Sequence, residues 1–410
     1  MSAPPKASVA AASARSGLST RTMRPSNPHD PDYGTLPLYA PGIEDVKEAV
    51  KRHFQVRRLP TWALFSTVYS SVSAILGGGQ RLDDKLFPGW RDQPIKEPVF
   101  IIGNARSGTT MLHRLMTIDE ETFSGMKLYQ SALNNVSVQR GLQALGRADE
   151  RIPGHPMRAL IDKVNDVMFD GWDGIHKLGI DQHEEDEATW ALGMTSITVN
   201  LLVPYTEELN SMRFFDQIEP EYRARFMDFY EASIKRHLFA CAPDKRFINK
   251  NVFFTPRVRS VIERMPDARF LYLVRDPAES LPSFLSMWWE KWVSHTPEIK
   301  KDGPEAQQLI RLAYDYYEYG LDLLDDYEGE SILVVRYDEL TKDPDEEVHR
   351  IYDWLGIEMS AAFKQNLYEF THAQRCYESA HEYTLEDFGL TRESVYAGAK
   401  RFCDRFGYAP

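Results

Sequence analysis

Cysteine is nearly missing from this chain. Of 410 residues only Cys241, Cys376 and Cys403 are cysteine, far apart and with no C-x-x-C pair. That spacing excludes a disulfide framework and a cysteine-based zinc site, and it suits a reducing compartment. Each is read as a small buried residue. Net positive charge is lacking too. The formal charge is −13, and the first 29 residues hold Lys6, Arg15, Arg21 and Arg24 with no acid, so the remainder carries −17. Such a body has no general basic field for nucleic acid, and any anion site has to be local. Long apolar runs are absent as well. The longest, residues 62–79 (WALFSTVYSSVSAILGGG), is broken by five Ser/Thr hydroxyls and ends in three glycines. It is a poor membrane span, so no transmembrane segment is expected, and it reads as a buried or partly interfacial helix. Residues 1–35 are rich in Ala, Ser and Pro and lack the apolar core of a secretory signal. They read as a flexible tail, with an organelle transit peptide as the alternative and the cytoplasm as the expected compartment.

What is present is enough apolar residue for a sizeable core, at 43% of the chain. Residues 43–56 have helical spacing, with Ile43, Val46, Val50 and Phe54 on one face, and residues 223–240 form a long amphipathic helix. Short apolar strands are predicted at Val99–Ile102, Arg246–Asn249, Arg269–Val274 and Ser331–Arg336, with helical segments between them. Asp343 and Pro344 make a helix start and Gly356 its stop. Strands alternating with helices imply an α/β fold with a central parallel sheet flanked by helices. We therefore expect one domain over 36–410, with a helical, acceptor-binding insertion around 120–240.

The most informative stretch is PVFIIGNARSGTTMLHRLM, residues 98–116. An apolar strand runs into a Gly/Ser/Thr loop and then an amphipathic helix carrying Met111, Leu112, Leu115 and Met116. Strand, small-residue loop and helix N-terminus together make an oxyanion site, because free backbone N–H groups and the helix dipole face the anion. Gly103 and Gly108 have the spacing of a nucleotide-binding G-x-x-x-x-G-K-[ST] loop and Thr110 fills its last slot. Thr109 stands where the lysine that reaches the β/γ-phosphates should be, which disfavours a kinase or ATPase. Downstream, FLYLVRDPAESLPSF (270–284) ends a buried strand in Arg275, with Ser283 eight residues on: a planar guanidinium fork and a hydroxyl suited to a phosphate dianion.

On these two segments the chain resembles the sulfotransferases that use 3′-phosphoadenosine-5′-phosphosulfate (PAPS), in their bacterial-type branch. Their 5′-phosphosulfate loop reads P-[KR]-S-G-T-T; here Ala105 replaces the proline. The resemblance covers roughly residues 95–410, with LHRLM and HEYTLEDFGL (381–390) adding to it. It implies a P-loop-like sulfotransferase fold. It also implies that Arg106, Ser107, Gly108, Thr109 and Thr110 hold the 5′-phosphosulfate, Arg275 and Ser283 the 3′-phosphate, and Tyr337 in VVRYDEL the adenine. The cofactor clamp of cytosolic animal sulfotransferases is not evident.

Sulfuryl transfer needs a cation near the bridging oxygen and a base for the acceptor; by analogy with phosphoryl transfer the rest is positioning. No metal is expected. Arg106 is the first candidate cation. Lys250 in RFINKN is the second, at a place resembling a lysine that related enzymes aim at the cofactor. The glutamate that tyrosylprotein sulfotransferases carry about twenty residues after the loop has no counterpart, since Met126-Lys127-Leu128-Tyr129 stands there. The cluster His183, Glu184, Glu185, Asp186 and Glu187 at a helix start is the substitute for the base, with His183, Glu184 and Asp186 favoured and His113 in reserve. A dipole-favoured acidic first turn would look the same. Trp288, Trp289 and Trp292 are candidates to stack on an acceptor. The acceptor is a small molecule, lipid or glycan bearing a hydroxyl or amine. The alternative is a catalytically silent PAPS-binding protein.

Overall fold

A computed structural model of the chain describes residues 27–169, 185–374 and 384–410. Two helices come first, α1 (Ala40–Arg52) and α2 (Leu59–Leu86), followed by strand β1 (Val99–Gly103) and α3 (Thr109–Thr117). After the two-residue strand β2 (Phe123–Ser124) the chain is helical: α4 (Leu128–Ala132), α5 (Val136–Asp149), α6 (Pro156–Phe169), α7 (Glu187–Leu192) and the central α8 (Pro220–Cys241). The sheet then resumes with β3 (Arg246–Lys250), α9 (Val258–Arg264) and β4 (Arg269–Val274). Two long helices, α10 (Pro277–His295) and α11 (Pro304–Tyr327), lead to β5 (Ile332–Arg336). The remaining helices are α12 (Tyr337–Lys342), α13 (Pro344–Leu355), α14 (Ala361–Gln374), α15 (Arg392–Gly398) and α16 (Lys400–Phe406).

The five strands are parallel in the order β2-β3-β1-β4-β5. β1 therefore lies between β3 and β4, and every one of its residues is buried. Alternation along β1 sends Phe100 and Ile102 into one core and Val99 and Ile101 into the other. Phe100 stacks between Phe254 and Phe270, at ring-centroid distances of 5.0 and 5.3 Å. This is why the predicted strands carry unbroken apolar runs. All strands point the same way, so the residues that follow β1, β3, β4 and β5 collect at one edge, where α/β sheets bind ligands.

The helix predicted at 344–355 forms as read. Asp343 accepts from the Glu346 N–H at 3.1 Å, Pro344 starts the helix and Gly356 ends it at φ +64°. Two expectations change. Tyr33 and Gly34, placed in a tail by composition, are packed, whereas most of 27–32 is exposed: Tyr33 is buried, and the Gly34 carbonyl accepts from Gln80 at 2.9 Å. The helix expected at 223–240 is buried on most of its circumference, including Arg236 and His237, so its alternating polar residues face partners rather than water. Of the two readings of the apolar run 62–79, the fully buried helix is set aside: α2 packs along one face only and is exposed along the other.

Gly103 has φ +141°, and a Cβ there would stand 2.5 Å from the Leu273 carbonyl oxygen of β4. Gly103→Ala is therefore expected to lower stability by about 1–3 kcal/mol through strain and a displaced strand. Urea unfolding measures it; an unchanged midpoint would show that β4 gives way freely.

Candidate active site

The strand edge presents three groups of side chains. The first is the loop 104–108. Asn104 anchors it by donating to the Ala313 carbonyl of α11 at 3.1 Å. Arg106 is held at φ +67°, a left-handed conformation uncommon for any residue but glycine. Gly108, at φ +92°, lies against the Tyr337 ring, where a Cβ would come within 2.7 Å. α3 starts at the next residue, so Thr109 and Thr110 occupy its positive end. Ser107 is buried, and its Oγ has no hydrogen-bond partner among the described residues.

The second group follows β4 and β5. Arg275 donates to the Arg106 carbonyl at 3.0 Å, places its guanidinium 4.1 Å from the Tyr337 ring centre and pairs with Glu279 at 3.3 Å. Arg106 Nε donates to Ser283 Oγ at 2.9 Å. Arg106, Arg275, Ser283 and Tyr337, read from three separate sequence segments, thus form one connected patch. Asp276 is not the partner of Arg275. It caps α10 through the Ala278 N–H at 2.9 Å and pairs with Arg392, which pins α15 beside the patch. This is how the C-terminal part of the chain reaches the site.

The third group centres on Lys250 at the end of β3. Its side chain is only 2% exposed, and Nζ lies 3.2 Å from Thr110 Oγ1 and 3.0 Å from a Glu185 carboxylate oxygen. A buried ammonium beside the loop's last threonine and a carboxylate is a compact acid–base unit. Burial raises the Glu185 pKa above the ordinary glutamate value, and the Lys250 charge pulls against it. A carboxyl tuned upward is a better proton acceptor near neutral pH.

The acidic cluster of 183–187 therefore divides. His183 and Glu184 lie outside the described residues. Glu185 faces Lys250, whereas Asp186, favoured from the sequence as a base, is fully buried under α8. Asp186 accepts from Asn251 at 2.8 Å and from the Tyr230 hydroxyl. Burial pushes its pKa up, against those hydrogen bonds. Glu187 is clamped by Arg257 at 2.8 and 3.1 Å and by Asn251 at 2.6 Å. Burial opposes its ionisation, but the Arg257 charge and hydrogen bonds from Arg257, Ser196 and Thr198 outweigh that and hold its pKa low. Asp186 and Glu187 fix where Glu185 stands; neither opens to the loop. The Asn251–Arg257 clamp was not legible because its members are spread over α7, β3 and the approach to α9.

Beside Asn104 and Ala105 lies a cleft walled mostly by apolar side chains, among them Val252, Phe253, Leu281, Phe284 and Tyr316. The tryptophans expected to line an acceptor pocket do something else. Trp288 and Trp292 are 1% exposed, and Trp288 backs Phe253 and Phe284 edge-on at 5.8 and 5.9 Å. Trp292 donates to the Asn200 carbonyl at 2.9 Å. His113 is buried on α3. Among the described residues, no three His, Cys, Asp or Glu side chains are grouped to hold a metal ion.

The pattern of the sulfotransferase family matches residues 98–361, which is most of the chain and takes in all three groups. The chain belongs to that family and is a sulfotransferase. It is 23% identical over 362 residues to omega-hydroxy-beta-dihydromenaquinone-9 sulfotransferase Stf3 of Mycobacterium tuberculosis and Mycobacterium bovis, an alignment spanning 85% of this chain and 84% of the relative. Its fold is similar to that of sulfotransferase STF9 from Mycobacterium avium, with a TM-score of 0.68 and 16% identity over 97% of this chain and 95% of that one. Sulfotransferase STF1 from Mycobacterium tuberculosis gives a TM-score of 0.64 at 20% identity, covering 96% and 98%. The fold is the P-loop-like sulfotransferase fold.

Breaking a buried ion pair leaves one charge without its partner. Arg257→Ala is accordingly expected to cost about 3–5 kcal/mol of stability. Glu185→Gln also removes the charge facing the buried Lys250, but at a side chain 21% exposed whose amide oxygen can still accept from that ammonium it should cost less than Arg257→Ala. Chemical denaturation of the two variants separates the clamp from the group it positions; equal losses would merge them.

Proposed function

We propose that the enzyme transfers the sulfuryl group of PAPS to a hydroxyl on an acceptor with an apolar body, and that Glu185 is the base. The observation that carries this reading is the Lys250 ammonium standing between Thr110 and Glu185, at 3.2 and 3.0 Å. Cation, loop and carboxylate are then within one hydrogen-bond step of each other. The residues fit the donor. Ser107 Oγ is buried and unpartnered in a loop built around a helix N-terminus, which suits an anion's oxygens. Arg275 and Ser283 offer charge-assisted donors for a second phosphate.

When bound, PAPS supplies a sulfuryl group whose bond to the 5′-phosphate breaks as a bond to the acceptor oxygen forms. Lys250 and the α3 N-terminus hold positive charge where the departing phosphate gathers negative charge. Glu185 takes the acceptor's proton. The clamp of Asp186, Asn251, Glu187 and Arg257 keeps that carboxylate in place. The cleft beside Ala105 is only about 20 Å³ and would have to widen to admit an acceptor, but its mostly apolar lining favours one of low polarity, the class of the hydroxylated menaquinone named for the Stf3 relative.

The donor assignment is tested by calorimetric titration. 3′-Phosphoadenosine-5′-phosphate should bind far better than ATP or ADP, and Arg275→Ala should lose roughly 1.5–3 kcal/mol of that affinity. Equal affinity for ATP would overturn it.

The base assignment is tested by turnover. Glu185→Gln should reduce kcat by about 10²–10⁴ while leaving nucleotide affinity nearly intact. The sign of the pH dependence follows from the raised pKa of Glu185: the base works only when ionised, so activity falls as pH drops through a midpoint above the ordinary glutamate value of 4.5. That acid limb should vanish in Glu185→Gln. A limb that persists would place the base elsewhere.

A further inference from the structure

A helix that is apolar on all sides belongs inside a protein or against something else apolar. Over Leu59–Gln80 α2 is uncharged and apolar on both faces apart from its hydroxyls, and only half of it is covered. Trp62, Phe65, Tyr69, Val72 and Leu76 pack its inner face onto the main core. Leu64, Val68, Ile75, Leu82 and Leu86 are 44–67% exposed. Their spacings of four and seven residues align them in one stripe about 33 Å long at 1.5 Å per residue. From Leu59 to Gln80 the sequence has no Asp, Glu, Lys or Arg, in a chain that is 27% charged.

We propose that this outer face of α2 docks on a lipid bilayer, with the helix lying flat in the interface. The proposal rests on the reading of the site as one that sulfates an apolar acceptor. By length and composition the segment Val56–Leu86 could cross a membrane, but the ties on its inner face favour lying along one. Tyr69 donates to the Leu192 carbonyl and Gln80 to the Gly34 carbonyl, each at 2.9 Å. The Asp83 carboxylate accepts the N–H groups of Val136 and Ser137 at 2.8 Å.

The area argues for lipid over a second copy of the chain. Five half-exposed side chains present roughly 400–500 Å² of apolar surface, about half of what each partner contributes to a stable protein interface. Interfacial insertion sets no such threshold, since affinity grows with whatever apolar area enters the headgroup region. The exposed hydroxyls of Thr67 and Ser71 flank the stripe and suit that region. The docking face is also joined to the site. Tyr69 holds α7, and α7 begins two residues after Glu185. Local charge is modest and mixed: Arg57, just before the helix, is matched by Glu298, and Arg81, Asp84 and Lys85 are exposed at its far end. The attraction is apolar and requires no anionic lipid.

The test is sedimentation of the full chain with phosphatidylcholine vesicles at low and high salt, beside light scattering without lipid. Wild type should sediment with vesicles at both salt concentrations. Val68→Glu with Ile75→Glu should reduce partitioning by about tenfold or more, with an unchanged melting temperature and unchanged 3′-phosphoadenosine-5′-phosphate binding. Wild type remaining in the supernatant would overturn the proposal. So would a wild-type dimer that the double variant dissolves while neither binds vesicles, which would make the face a self-association surface. Nucleotide titration reads the site separately: its failure with vesicle binding intact would strike the sulfotransfer reading and leave the docking face standing.

Discussion

β1 is the constraint from which the site follows. It shares hydrogen bonds with β3 on one side and β4 on the other, and its side chains enter both cores. It has no freedom to shift along its axis without breaking two ladders. At its last residue the chain passes so close to Leu273 that only glycine fits. The loop that follows is thereby fixed relative to Lys250 at the end of β3 and Arg275 after β4. Lys250, Arg275 and the loop converge because their strands share a register with β1.

The second constraint is electrostatic. A body this acidic must concentrate positive charge locally to hold an anion, and it does so by burial rather than by number. Lys250 is nearly inaccessible to water, and its carboxylate neighbour Glu185 keeps only modest exposure. Below them, Asp186 and Glu187 are satisfied by hydrogen bonds and by Arg257. A buried cluster of this kind is costly if any member is lost, which makes it a rigid platform. The run of acids at 185–187 is thus a single carboxylate facing the loop and two struts beneath it.

Local sequence carried the parts of this that depend on neighbouring residues. The strand-loop-helix at 98–116 and the capped helix at 344–355 rest on short spacings, and each appears where read; Arg275 and Ser283, eight residues apart, do not touch but are joined through Arg106. The division of labour within 183–187 was not legible. It depends on which way α7 turns against β3 and α8, and the partners Tyr230, Asn251 and Arg257 are 44–70 residues away in sequence. The same holds for Trp288 and Trp292. Their helical spacing is common to a core stripe and a pocket wall, and only the packing of α10 on α11 distinguishes the two. α2 deceived for another reason: hydropathy reports that a segment is apolar, not whether there is enough protein to cover it.

The ion pair between Arg392 and Asp276 joins residues made far apart in time during synthesis. Asp276 follows Arg275 directly, and its partner arrives 116 residues later, on α15. α16 follows immediately and fastens to α11 through Arg401 and Arg405. A nascent chain that has already built β1, β3 and β4 still lacks the clasp on that rim. The rim beside Arg275 is thus completed by one of the last segments of the chain to be made.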